Sequence, residues 1–96
     1  MLQIENRHWE IIHSILNKYP YQFFAYGSRT KKQAKKYSDL DLCFYGKIPW
    51  NVLSHLQEDL EESNLPFKVD LVAWNWMSQE FQDLISKDLI PIQSIT

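Results

Sequence analysis

The sequence predicts an α/β (α+β) fold, a small mixed sheet of three main strands plus an edge strand, covered by helices. Three observations carry that expectation. Segments with apolar residues at three- and four-residue spacing take turns along the chain with short segments of period two. Two of the period-two segments alternate apolar residues with aspartates, which leaves one sheet face partly open to solvent or ligand. Finally, 96 residues with 45% hydrophobic and 15% aromatic content have the bulk for one core and no second, so residues 1–96 are expected to form a single domain.

Taken in order, residues 4–18 read as an amphipathic helix through Ile4, Trp9, Ile12, Ile15 and Leu16, closed by Pro20. YQFFAY (21–26) is short, aromatic and ends at Gly27, as a strand feeding a turn does. Residues 29–36 have the length of about two helical turns. DLDLCFY (39–45) places Leu40, Leu42 and Phe44 on one face and Asp39, Asp41 and Cys43 on the other. Residues 50–63 give a second amphipathic helix through Leu53, Leu56 and Leu60, with Pro49 near its first turn. FKVDLVAW (67–74) is another alternating strand, Val69 and Leu71 opposite Asp70 and Val72. Ser78 is placed to cap a helix over 79–87 with Phe81, Leu84 and Ile85 as its apolar positions. LIPIQ (89–93) reads as a last strand, and Pro91 assigns it to a sheet edge.

Composition excludes several functions. Ten Lys and Arg against twelve Asp and Glu give a net charge of −2, which does not suit a uniformly basic nucleic-acid coat. The single cysteine, Cys43, has no intramolecular disulfide partner, as expected in a reducing cytoplasm. No apolar run has the roughly 18 residues a membrane span needs, and MLQIENRHWE lacks the features of a signal peptide.

The chemistry concentrates in three aspartates on polar strand faces: Asp39 and Asp41, two apart, and Asp70 on a separate strand. Carboxylates two apart on a strand have β-carbons roughly 7 Å apart, close enough to bracket a divalent cation. Oxygen ligands with no His or Cys beside them select Mg²⁺ or Mn²⁺ over Zn²⁺. An Asp-x-Asp by itself arises by chance in roughly three chains of this length in ten, so it decides nothing alone. Its context decides. YQFFAY ends in Gly27-Ser28, followed by Arg29, then by Lys31, Lys32, Lys35 and Lys36, then by Ser38-Asp39-Leu40-Asp41. Glycine lets a phosphate approach the backbone, serine adds a hydroxyl, and N–H groups opening a helix favour an anion. A phosphate cradle and a metal platform thus sit on successive elements.

The stretch GSRTKKQAKKYSDLDLCF followed by PFKVDLVAW closely resembles the small nucleotidyltransferases of the DNA polymerase beta-like superfamily, over nearly the whole chain. The resemblance implies a palm-like fold and Mg²⁺-dependent transfer of a nucleoside monophosphate from an NTP, with ATP the favoured donor and Mn²⁺ able to substitute. It gives Asp39, Asp41 and Asp70 the metals. Asp70 also serves the acceptor. Gly27, Ser28 and Arg29 contact the phosphates, and Ser38 fixes the turn before the first aspartate. Lys32 stands where many relatives carry glycine. Small members are often encoded beside a helical substrate-binding protein, some as toxin–antitoxin pairs, which makes such a partner, or a homo-oligomer, the expected assembly.

Two other readings compete with a catalytic one. A regulatory module would use nucleotide only as a ligand, acting in antitoxin fashion through a partner protein; the intact aspartate set argues against it. A nucleic-acid-binding domain built on the lysine cluster is the weakest, given the net acidity. His8, His13 and His55 have no ligand-like spacing and read as ordinary surface histidines, and Cys43 reads as a buried structural thiol. The acidic run Glu58, Asp59, Glu61 and Glu62 reads as a solvated helix face. Trp74 and Trp76 continue the parity of Asp70 beyond its strand and, with Trp50, are the candidates for an exposed apolar patch.

Overall fold

The computed structural model describes residues 4–27 and 39–92. Helix α1 (Asn6–Leu16) leads into strand β1 (Phe23–Tyr26), and β2 (Leu40–Phe44) is followed by helix α2 (Trp50–Glu61). Strand β3 (Val69–Ala73) runs into a 3-10 turn at Trp74–Trp76, then helix α3 (Gln79–Ile85), a second 3-10 turn at Ser86–Asp88, and the two-residue strand β4 (Ile90–Pro91). The sheet order is β3-β2-β1-β4, with β1 antiparallel to both β2 and β4, and β2 parallel to β3. The mixed sheet of three main strands and one edge strand is as expected, and Pro91 does lie at the edge. The stretch 29–36 falls outside the described residues.

Period two decides which face each strand residue serves. Phe23, Ala25, Leu40, Leu42, Phe44 and Val69 point to one face, where Ile12 and Leu16 of α1 and Leu53, Leu56 and Leu60 of α2 close over them. The ring edge of Phe23 meets Phe44 at a 6.0 Å centroid separation. At the far end of α1, the Tyr19 hydroxyl donates to Asp59 Oδ2 at 2.6 Å. Asp59 is therefore engaged, while its neighbours Glu58, Glu61 and Glu62 stay exposed as expected. His8 and His13 are half-buried rather than free surface residues: His13 Nε2 lies 3.1 Å from the Ile92 carbonyl, and His8 meets the Phe67 ring edge-on.

The opposite face is covered only in part. Tyr26, Cys43 and Ile85 form a second, smaller cluster with Phe24, Trp74, Met77 and Leu89 around it. Helix α3 starts where Ser78 Oγ accepts the Phe81 N–H, the cap the sequence predicts, but it is only seven residues long. One row of its side chains reaches the sheet. Ile85 is buried, whereas Leu84 is 59% exposed and Phe81 rests its ring edge on Tyr26, so the expected three-residue apolar face is corrected to one.

A second correction concerns the tryptophans. The 3-10 turn at Trp74–Trp76 abolishes strand parity, and Gln82 Nε2 holds it by donating to the Trp74 carbonyl at 2.8 Å. Trp74 stays on the side of Cys43, stacked at a tilt on Tyr45, while Trp76 crosses to the edge of Phe44 on the α2 side. No helix among the described residues is long and apolar enough to cross a membrane.

Leu56 is fully buried where α2 meets the sheet. Leu56→Ala should cost about 2–5 kcal/mol, read as a lower midpoint in urea unfolding with an unchanged slope.

Candidate active site

The register of the sheet builds the site. Tyr26 of β1 pairs with Asp41 of β2, and Asp41 pairs in turn with Asp70 of β3. Three side chains thus stand in one row across three strands, on the face away from α1 and α2, at inter-strand spacings of about 4.8 Å. Asp39 lies just ahead of β2, which begins at Leu40, and is exposed at the mouth of the row.

Gly27 closes the row from the side. Its φ of +88° is a backbone state that residues with a side chain rarely adopt. A Cβ built there would fall 2.6 Å from Asp41 Oδ2, so the bare backbone of the turn lies directly against the carboxylate. That contact explains why a glycine must follow β1.

The electrostatics are those of a crowded, half-buried anion. Burial raises the Asp41 carboxyl above its usual range, and the charges of Asp70 and Asp39 raise it further. Burial likewise pushes the Tyr26 hydroxyl up to about 12, with Asp41, Cys43 and Asp70 adding to it, so it remains a hydrogen-bond donor at neutral pH. Lys68 Nζ lies 3.6 Å from Asp70 Oδ1 in an exposed pair of the kind that contributes at most about 1 kcal/mol and yields readily to a stronger cation. Cys43, expected as a buried structural thiol, is fully buried beneath the row, and burial lifts its thiol to about 11.

Of the residues expected at the site, the fold brings Gly27, Asp39, Asp41 and Asp70 together. Ser28, Arg29 and Ser38, together with the lysine cluster, lie outside the described residues. Sequence reasoning missed Tyr26 and Lys68. The signals were there: Tyr26 directly precedes the turn glycine, and Lys68 is two residues from Asp70, hence on its face.

The donor set fits a divalent cation of the magnesium type. It offers carboxylate oxygens with no imidazole or thiolate aimed at them. Among the described residues, no three such side chains already converge into a closed cage. Magnesium does not require one, since it is typically held by one or two carboxylates completed by phosphate and water. Asp41 and Asp70, with Asp39 at the mouth, supply that number.

Gly27→Ala should destabilise the chain by more than about 1 kcal/mol, because it imposes both a strained φ and a clash with Asp41; urea unfolding reads this. Cys43 and Tyr26 carry pKa values raised to about 11 and 12 from 9.0 and 10.0. A raised pKa favours the protonated form in the folded state, so this contribution is complete below pH 9 and lost as pH rises through 11–12. Unfolding midpoints should fall over that window, and native Cys43 should resist a thiol reagent at pH 8.

The chain matches the polymerase beta nucleotidyltransferase family over residues 10–94. It is 40% identical over 96 residues to the "Probable protein adenylyltransferase MntA" of Haemophilus influenzae, an alignment spanning 96% of this chain and 84% of that protein. A solved structure from Sulfolobus solfataricus, assigned as a nucleotidyltransferase, aligns over 88% of this chain and 74% of its own with a TM-score of 0.48 and 18% identity. With 40% identity along nearly its full length and a family match over most of its residues, the chain belongs to the polymerase beta nucleotidyltransferases.

Proposed function

We propose that this nucleotidyltransferase moves an adenylyl group from ATP to a hydroxyl on a separate protein, with divalent-cation assistance. The observation that carries the reading is Asp41, a carboxylate crowded by Asp70, Asp39 and the Gly27 backbone into a place where a bound cation would relieve the repulsion. The name of the Haemophilus relative supports adenylyl as the group and protein as the acceptor.

The acceptor oxygen attacks the α-phosphorus while the bond from that phosphorus to the bridging oxygen breaks, and pyrophosphate leaves with the electron pair. Asp39 and Asp41 are assigned the cations on the triphosphate, and Asp41 with Asp70 the one nearest the acceptor. Two magnesium ions held there would neutralise the triphosphate and stabilise the attacking and leaving oxygens. Asp70, on the outermost of these strands, is assigned to orient the acceptor hydroxyl and receive its proton. The Tyr26 hydroxyl, held protonated, offers a donor to the same row. Gly27, Ser28 and Arg29 are assigned to the phosphates, with Ser38 steadying the turn before Asp39. Positioning and charge neutralisation supply most of the rate in such chemistry.

Transfer of label from α-³²P-ATP to acceptor protein tests the reading, with calorimetry reporting Mg-ATP binding. Asp41→Asn should lose both. Asp70→Asn should lose transfer by about 100-fold or more while holding Mg-ATP within about threefold, since it removes a contact made mainly in the transition state. Unchanged transfer in either variant would defeat the assignment.

A further inference from the structure

Strand β3 is the outermost described strand on its side of the sheet. The Leu40 N–H donates to the Lys68 carbonyl at 2.9 Å, so in this parallel pair Lys68, Asp70 and Val72 turn their backbone groups toward β2. Val69, Leu71 and Ala73 turn theirs outward. Gln57 Nε2 donates to the Val69 carbonyl at 3.0 Å, and no described strand meets Leu71.

Beside that edge lies a groove of about 400 Å³ lined by Trp50, Leu53, Leu71 and Trp76, with Glu58 and Glu61 along one side. Trp50 is 77% and Trp76 63% exposed, so two of the chain's four tryptophans lie largely on the surface. Glu58 and Glu61 stand one turn apart on α2 and form no ion pair among the described residues. Ser54 and Gln57 complete the lining; the groove thus pairs four apolar side chains with a polar, anionic set, and its complement is apolar and cationic.

Edge and groove together define more than a sticky patch. A strand laid along β3 would sit about 4.8 Å away, and its side chains would alternate between the two faces. A residue opposite Leu71 would enter the tryptophan groove. Its neighbour, opposite Asp70, would project onto the carboxylate face.

We propose that the β3 edge and the Trp50–Trp76 groove dock an extended segment of the acceptor protein, in which the modified hydroxyl residue is flanked by apolar residues and by Lys or Arg. This rests on the adenylyl-transfer reading only for the identity of the modified group; docking itself requires no nucleotide. The apolar neighbour anchors in the groove, the cations that share its parity face Glu58 and Glu61, and strand parity delivers the hydroxyl to Asp70.

The probe is the end-blocked peptide Lys-Lys-Val-Ser-Val-Lys-Lys, compared with a version carrying Glu for every Lys and one carrying Pro for both Val. Amide exchange by NMR and tryptophan fluorescence are read on the full chain. The lysine peptide should slow exchange of the Leu71 amide at least about tenfold, and its binding should weaken at least about tenfold in Trp76→Ala and in the double variant Glu58→Gln, Glu61→Gln. The proline version, unable to pair, should leave Leu71 unprotected. Docking is read without nucleotide or divalent cation and transfer with Mg-ATP, which separates the two: a protected Leu71 with no labelled serine upholds docking and counts against the adenylyl reading alone. Equal binding of the glutamate version, or a Leu71 amide unprotected at saturating lysine peptide, would overturn the proposal.

Discussion

Everything at the polar face follows from the position of one carboxylate. Asp41 is flanked across the sheet by Asp70, preceded by Asp39, and pressed on by the backbone of Gly27 so closely that a single added carbon would lie 2.6 Å from its oxygen. Such an arrangement costs the apo chain stability, since burial and two neighbouring charges all oppose ionisation of Asp41. The rest of the fold holds it in place. The parallel β2–β3 pair fixes Asp70 beside it, and the antiparallel β1–β2 pair brings Tyr26 and the turn glycine. Two helices pack against the other face of the sheet, behind it.

Much of that scaffold is legible in the sequence because it rests on period. Leu40, Leu42 and Phe44 alternate with Asp41 and Cys43, and Leu53, Leu56 and Leu60 recur at helical spacing; both patterns survive intact in the fold. Pairing partners are another matter. Nothing in the local pattern of β3 states that it runs parallel to β2 or lies at an edge, since register is decided by contacts between distant segments. Where period breaks down, so does the reading: Trp76 lands on the far side of the sheet from Trp74 because a 3-10 turn replaces the strand. Leu84 stays largely outside and Phe81 is only partly covered, because α3 is too short to bury a full face.

The candidate site was legible as chemistry and incomplete as geometry. Three aspartates and a turn glycine are residue types that announce an anion and cation platform, and the fold gathers them. Tyr26 and Lys68 carry weak local signals, one before the turn glycine and one at the parity of Asp70, which gain meaning only when the register sets Tyr26 beside Asp41 and Lys68 beside Asp70. The free edge and its tryptophan groove are hidden for the same reason: of Trp50, Trp74 and Trp76, the candidates for an exposed patch, Trp50 and Trp76 line the groove and Trp74 packs on Tyr45.

On the proposed function, a bound cation offsets the cost at which Asp41 is held. Burial and like charge raise its pKa in the fold, so above its ordinary value near 3.8 the ionised form destabilises the native state. Urea unfolding of wild type and Asp41→Asn at pH 7, each in chelator and again with Mg-ATP, compares the two situations directly. In chelator the asparagine variant should be the more stable; with Mg-ATP only the wild type should gain. An asparagine variant that is less stable in chelator, or that gains as much from Mg-ATP as the wild type does, would contradict the account.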